Sequence, residues 1–151
     1  MAWEVTPGKK VTFFMRGQSP AELVMGSVQL GLAYGAANRT GKPSHEAALR
    51  LVERATEGGI SQSDTARAYG DSEHRLGEAL ANKKSVRTIT KLSPLSDLAA
   101  DASRADVRAA VDASIEESLS ALRRDRLDCL LLHRAEHMRS HGGAIWDRLE
   151  R

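Results

Sequence analysis

Short apolar stretches alternate with amphipathic ones through most of this chain, and that alternation limits the fold more than any other feature. LVMGSVQLG at 23–31, Ile60 to Asp64, VRTITK at 86–91 and LDCLLLH at 127–133 read as strands. After the first, Ser44 offers an N-cap and Ala48, Leu51, Val52 and Ala55 recur at helical spacing until Gly58 and Gly59. A second helix opens at Asp71 or Ser72 and runs through Leu76, Ala79 and Leu80. In a third, Val107, Val111, Ile115, Leu119 and Leu122 form the inward stripe, with Glu116, Glu117, Arg123 and Arg124 facing water. GGAIWDRLER begins a fourth, with Ile145, Trp146 and Leu149 on one side. The continuous run LDCLLLH predicts a strand covered on both faces. Strand and helix in turn, four times, predict an α/β protein with a parallel sheet.

Composition removes several function classes. Lys and Arg number 22 against 20 Asp and Glu, so the chain has no large single-sign field and no nucleic-acid partner is expected. No run approaches the roughly 18 apolar residues of a membrane span. MAWEVTPGKKVTFF lacks a secretory apolar core. The single cysteine, Cys129, has no internal disulfide partner, which fits a cytoplasmic protein, and it reads as a small buried hydrophobe. Residues 1–22 are expected to be a leader or base-capping segment, with VTFFMRG as a short strand or hairpin and Trp3, Phe13 and Phe14 covering the base. His45, His74, His137 and His141 share no metal-ligand spacing, and no metal is expected. Gly26, Gly31 and Gly35 do not form the Gly-rich turn of a dinucleotide fold that opens directly into a helix.

The chemistry lies at the strand tips. Strand two ends in Asp64, strand three in Lys91 and strand four in His133, and Tyr69 follows in the loop beyond Asp64. In (β/α) barrels that rim is where loops converge on one mouth. The residue types also fit one another. A free phenol, with a reference pKa near 10, gives up its proton reluctantly, and a neighbouring ammonium favours the phenolate. An aspartate can hold that ammonium charged and aimed, and a histidine can orient a substrate oxygen. Together they make a proton-donating site for a carbonyl.

The stretches VMGSVQLGLAYG, DTARAYGDSEHRLGEAL, VRTITK and LDCLLLHR resemble, in order, the corresponding parts of the aldo-keto reductase family. The resemblance runs from about residue 23 to the end. It implies the first four βα units of a (β/α)8 barrel, with residues 23–151 as its N-terminal half. It also implies NADPH-dependent reduction of a small aldehyde or ketone, or the reverse oxidation. Carried over by motif, Tyr69 is the general acid, Lys91 and Asp64 tune it, and His133 orients the carbonyl. Gly26 and Ser27, alongside Asp64, correspond to the family's nicotinamide-side contacts.

Two departures stand out. Ser63 occupies a position where the family carries a large apolar residue, and it leaves either a cavity or a locally bonded hydroxyl. The chain also spans only four of eight βα units, which predicts a truncated barrel that is inactive by itself. Its edge strands would be open to self-association. The alternatives are a non-catalytic interaction or regulatory subunit, or an inert remnant. Tyr34 is expected either to line a substrate mouth or to pack within its loop, and Arg67 is assigned no role.

Overall fold

A computed structural model of the protein describes residues 22–150. The expectations placed on residues 1–21 lie outside the described residues.

Four strands, β1 (Val24–Gly26), β2 (Gln62–Asp64), β3 (Arg87–Lys91) and β4 (Cys129–Leu131), form one sheet in the order β1-β2-β3-β4. Every pair is parallel, with Gly26 opposite Asp64, Asp64 opposite Ile89, and Lys91 opposite Leu131. The helices are α1 (Val28–Gly31), α2 (His45–Glu57), α3 (Ser72–Ala79), α4 (Arg104–Leu122) and α5 (Ala144–Leu149). Two 3-10 turns, Ala135–Met138 and Ser140–Gly143, join β4 to α5. The parallel βα repeat expected from the sequence is therefore present.

Local signals explain most boundaries. Ser44 caps α2 by accepting from the Ala47 N–H, and Gly59, at φ +96°, turns the chain away after Glu57. Ser103 and Asp106 form a reciprocal capping box at the start of α4. Asp71 precedes α3, but its carboxylate makes no cap bond and instead accepts from Lys42 and Arg75. Burial raises the Asp71 pKa, and the hydrogen bond from Lys42 and the charge of Arg75 outweigh that to hold it below the ordinary value.

The core divides into two clusters. One gathers Leu30, Ala48, Val52, Leu76, Leu80, Val86 and Leu122 beneath α2 and α3. The other gathers Leu92, Val107, Val111, Ala144 and Ile145 between α4 and α5. The helices α3 and α4 meet closely at Gly77, where an added Cβ would lie 2.1 Å from the Ala121 carbonyl oxygen.

The structure corrects several expectations. The first strand ends at Gly26 and not near 31, because Ser27 crosses the strand end to bond the Asp64 carbonyl. The next residues then wind into α1, which buries Leu30. Leu51 of α2 is exposed, since nothing in the described chain packs on that side of the first unit. In α4 the fully buried positions are Val107, Val111, Ser114, Ser118 and Leu122, while Ile115 and Leu119 are only half-buried. Arg124 is also half-buried, because its guanidinium donates to the Lys83 and Val86 carbonyls. The apolar run of β4 is not covered on both faces: it is an edge strand, and Leu131 is exposed. In α5, Ile145 is buried while Trp146 turns to the surface.

Candidate active site

Parallel pairing brings the tips of β2 and β3 side by side, so Asp64 and Lys91 emerge on the same rim. The Lys91 ammonium donates to Asp64 Oδ1 at 2.5 Å and to the Thr65 carbonyl at 2.9 Å. Two acceptors therefore fix its direction, and both partners are largely shielded from water, with side-chain exposures of 17% and 33%. The ammonium sits 4.9 Å from the centre of the Tyr69 ring, within reach of the ring's negative face.

Tyr69 is held by its loop. Its N–H donates to the Ala66 carbonyl, and its own carbonyl accepts from Ser72 at the start of α3. Gly31 lies against this turn, and a Cβ there would fall 1.8 Å from the Tyr69 carbonyl oxygen. A side chain at 31 would thus push the tyrosine off the rim. On the far side, the His133 ring meets Tyr69 edge to face, with centroids 6.2 Å apart at 74°. His133 lies two residues beyond the end of β4 and not on its last residue. Burial first, then the positive charge of Lys91 and Arg134, then His137, push its pKa below the usual histidine value. The imidazole is therefore neutral near pH 7.

The structure thus brings together Asp64, Tyr69, Lys91 and His133, the four residues singled out from sequence. Ser27 is buried, with its hydroxyl donating to the Asp64 carbonyl at 2.7 Å. The Ser72 hydroxyl in turn donates to the Ser27 carbonyl, and that of Thr65 to the Ser72 hydroxyl. Ser27 ties the ends of β1, β2 and α3 into one unit beneath the rim. Gly26 borders open space, since a Cβ built there meets no atom within 4 Å. Ser63 is buried beneath the site, and its hydroxyl has no hydrogen-bond partner among the described residues. Among the described residues no local bond from this hydroxyl compensates the small side chain. Tyr34 is exposed in the loop after α1, where its carbonyl accepts from Gln29 and Asn38.

The model of the aldo/keto reductase family matches residues 22–150. The chain belongs to the aldo/keto reductase family. Among solved structures, a Pseudomonas aeruginosa protein assigned to the aldo-keto reductases matches with 28% identity and a TM-score of 0.65, over 89% of this chain and 51% of its own. An aldo/keto reductase from Brucella melitensis shares the fold at 21% identity and a TM-score of 0.59, over 94% of this chain and 48% of its own. The chain therefore spans about half the length of these aldo/keto reductases, and its four-stranded parallel sheet corresponds to half of their barrel.

Sequence reading overlooked one pair in this aldo/keto reductase half-barrel. Glu73 is almost completely buried, and Arg67, to which the sequence assigns no role, is its ion partner. A signal was available: Glu73 falls on the same helical stripe as Leu76 and Leu80. A carboxylate on an apolar stripe requires a buried partner.

Proposed function

We propose that this chain carries the proton-handling half of an NADPH-dependent reduction of an aldehyde or ketone to an alcohol, reversible in direction. The observation that carries the reading is Lys91, bonded to Asp64 and facing the Tyr69 ring, with His133 against that same ring. Tyr69 gives its hydroxyl proton to the carbonyl oxygen. The Lys91 ammonium stabilises the phenolate left behind, and Asp64 keeps that ammonium in place. His133, neutral near pH 7, donates its one N–H to orient the carbonyl. The reduced nicotinamide, when bound, supplies the hydride. Residues of this chain fit the nicotinamide end: Gly26 leaves open space beside the partly exposed Asp64 carboxylate, and Ser27 backs that face by fixing the Asp64 carbonyl.

The substrate in this reading is a small carbonyl compound, and the setting is the cytoplasm. No helix among the described residues is long and apolar enough to cross a membrane. A second reading, an interaction or regulatory subunit, is favoured by the open sheet edges, where Val24 of β1 and Leu131 of β4 are exposed. In that reading the edges associate with another copy of the chain or with a partner.

NADPH fluorescence decides between the two. Saturable binding by the 151-residue chain supports the reductase reading. A flat titration up to millimolar cofactor would remove NADPH from this chain at this length and favour the interaction reading.

A further inference from the structure

Glu73 is 1% exposed, yet it carries a carboxylate. Its two oxygens face in different directions. Oε1 accepts from the Thr90 hydroxyl at 2.6 Å, and Oε2 meets the Arg67 guanidinium. Thr90 is fully buried and immediately precedes Lys91 on β3. Arg67 lies two residues before Tyr69, and its own N–H donates to the Lys91 carbonyl at 3.3 Å. One buried carboxylate therefore joins the strand that presents the ammonium to the turn that presents the phenol. An outer contact adds little: Glu117 of α4 lies 3.5 Å from the Arg67 Nε, and its side chain is mostly exposed.

We propose that Glu73 and Arg67 are positioning residues that hold the 65–70 turn against β3, so that the Tyr69 ring stays between Lys91 and His133. The proposal rests on reading Tyr69 as the proton donor, but the placement it describes is measurable without turnover. Three physical points support it. A buried carboxylate is retained at a cost unless its partners satisfy it, and here both oxygens have partners. The Arg67 side chain is itself mostly shielded, so the pair is not screened as a surface pair would be. The turn's remaining ties to β3 are the bonds from Thr65 N to Ile89 O and from Arg67 N to Lys91 O, together with the Lys91 ammonium on the Thr65 carbonyl. All three act at or before residue 67. The ion pair differs in spanning the turn, since it joins Arg67 to Glu73 on the far side of Tyr69.

The test is the nuclear Overhauser contact between the Tyr69 and His133 rings in the full 151-residue chain. Glu73→Gln keeps the volume and one acceptor for Thr90 but removes the charge that holds Arg67. The expected result is loss of the ring-to-ring cross-peak with the circular dichroism spectrum retained. Glu117→Gln, which removes only the outer contact, keeps the cross-peak. Should Glu73→Gln fail to fold, Arg67→Gln reads the same relationship from the partly exposed end and should also lose the cross-peak. A folded variant of either residue with the cross-peak at wild-type intensity overturns the proposal. So does loss of the cross-peak in Glu117→Gln. Failure of the reductase reading looks different: the ring contact responds as stated, but Tyr69 takes no part in carbonyl reduction.

Discussion

The Lys91 ammonium is shared between the Asp64 carboxylate, at 2.5 Å, and the face of the Tyr69 ring, 4.9 Å from its centre. This single cation links the tips of two adjacent parallel strands to the loop between β2 and α3. Replacing Asp64 by Asn leaves the ammonium with the Thr65 carbonyl and a weaker amide partner. Because both groups retain some contact with water, the expected loss is about 1 kcal/mol, less than for a fully buried pair. Urea denaturation of Asp64→Asn against wild type measures it. An unchanged midpoint would mean that the pair does not contribute to the fold.

Tyr69→Phe separates the chemistry from the scaffold. The substitution removes only the hydroxyl and keeps the ring that packs against His133 and lies under Lys91. In whatever assembly of this chain shows carbonyl reduction, the variant should lose it while NADPH affinity stays near wild type. Comparable turnover by the two would take Tyr69 out of the mechanism.

Much of this arrangement was legible from residue order because periodicity and strand ends are local properties. Ser44 and the Gly58–Gly59 stop each act within a few residues, and each appears where its local chemistry places it. The convergence of Asp64, Lys91 and His133 follows from parallel topology alone, since parallel strands put all their C-terminal tips on one rim. What could not be read were outcomes decided by distant partners. β1 stops at Gly26 because Ser27 finds the Asp64 carbonyl, 37 residues away. β4 carries a fully apolar sequence, yet Leu131 is exposed because nothing in the described chain covers its face of the sheet. Glu73 acquires its place only through Thr90, 17 residues on, and Arg67 on the facing turn.

Gly31 supplies a steric test of the rim. Any side chain there must displace the Tyr69 carbonyl and the Ser72 backbone, neither of which can rotate away. Gly31→Ala should destabilise the chain by about 2 kcal/mol, as overpacking against backbone does, and should also weaken the Tyr69–His133 ring contact. Thermal melting and the same ring-to-ring cross-peak report the two effects. Normal behaviour in both would show that the loops do not meet as closely as 1.8 Å implies.

Ser63 tests the opposite situation, a buried group without a partner. Its hydroxyl is removed from water and accepts or donates no bond among the described residues. Ser63→Ala deletes the orphaned oxygen at little cost in volume. The expected gain is about 1 kcal/mol, the low end of the penalty for an unsatisfied buried polar group. A clear loss of stability instead would show that the hydroxyl does have a partner.

His133 gives the pH dependence. Burial, the charges of Lys91 and Arg134, and then His137 all disfavour its protonated form, so its pKa in the folded chain lies below the ordinary 6.5. A group depressed in this way binds fewer protons folded than unfolded. Its contribution is therefore complete above about 6.5 and is lost as pH falls from there through the folded value. The imidazole signals of His133 should titrate with a midpoint below the ordinary 6.5 of a free imidazole. Lys91→Met removes the second-largest cause and leaves the largest, burial. The midpoint should then rise but remain below 6.5. A midpoint at or above that value in the wild-type chain would mean that His133 stands in water, away from the Tyr69 ring, and the proposed orientation of the carbonyl by a neutral imidazole would fail with it.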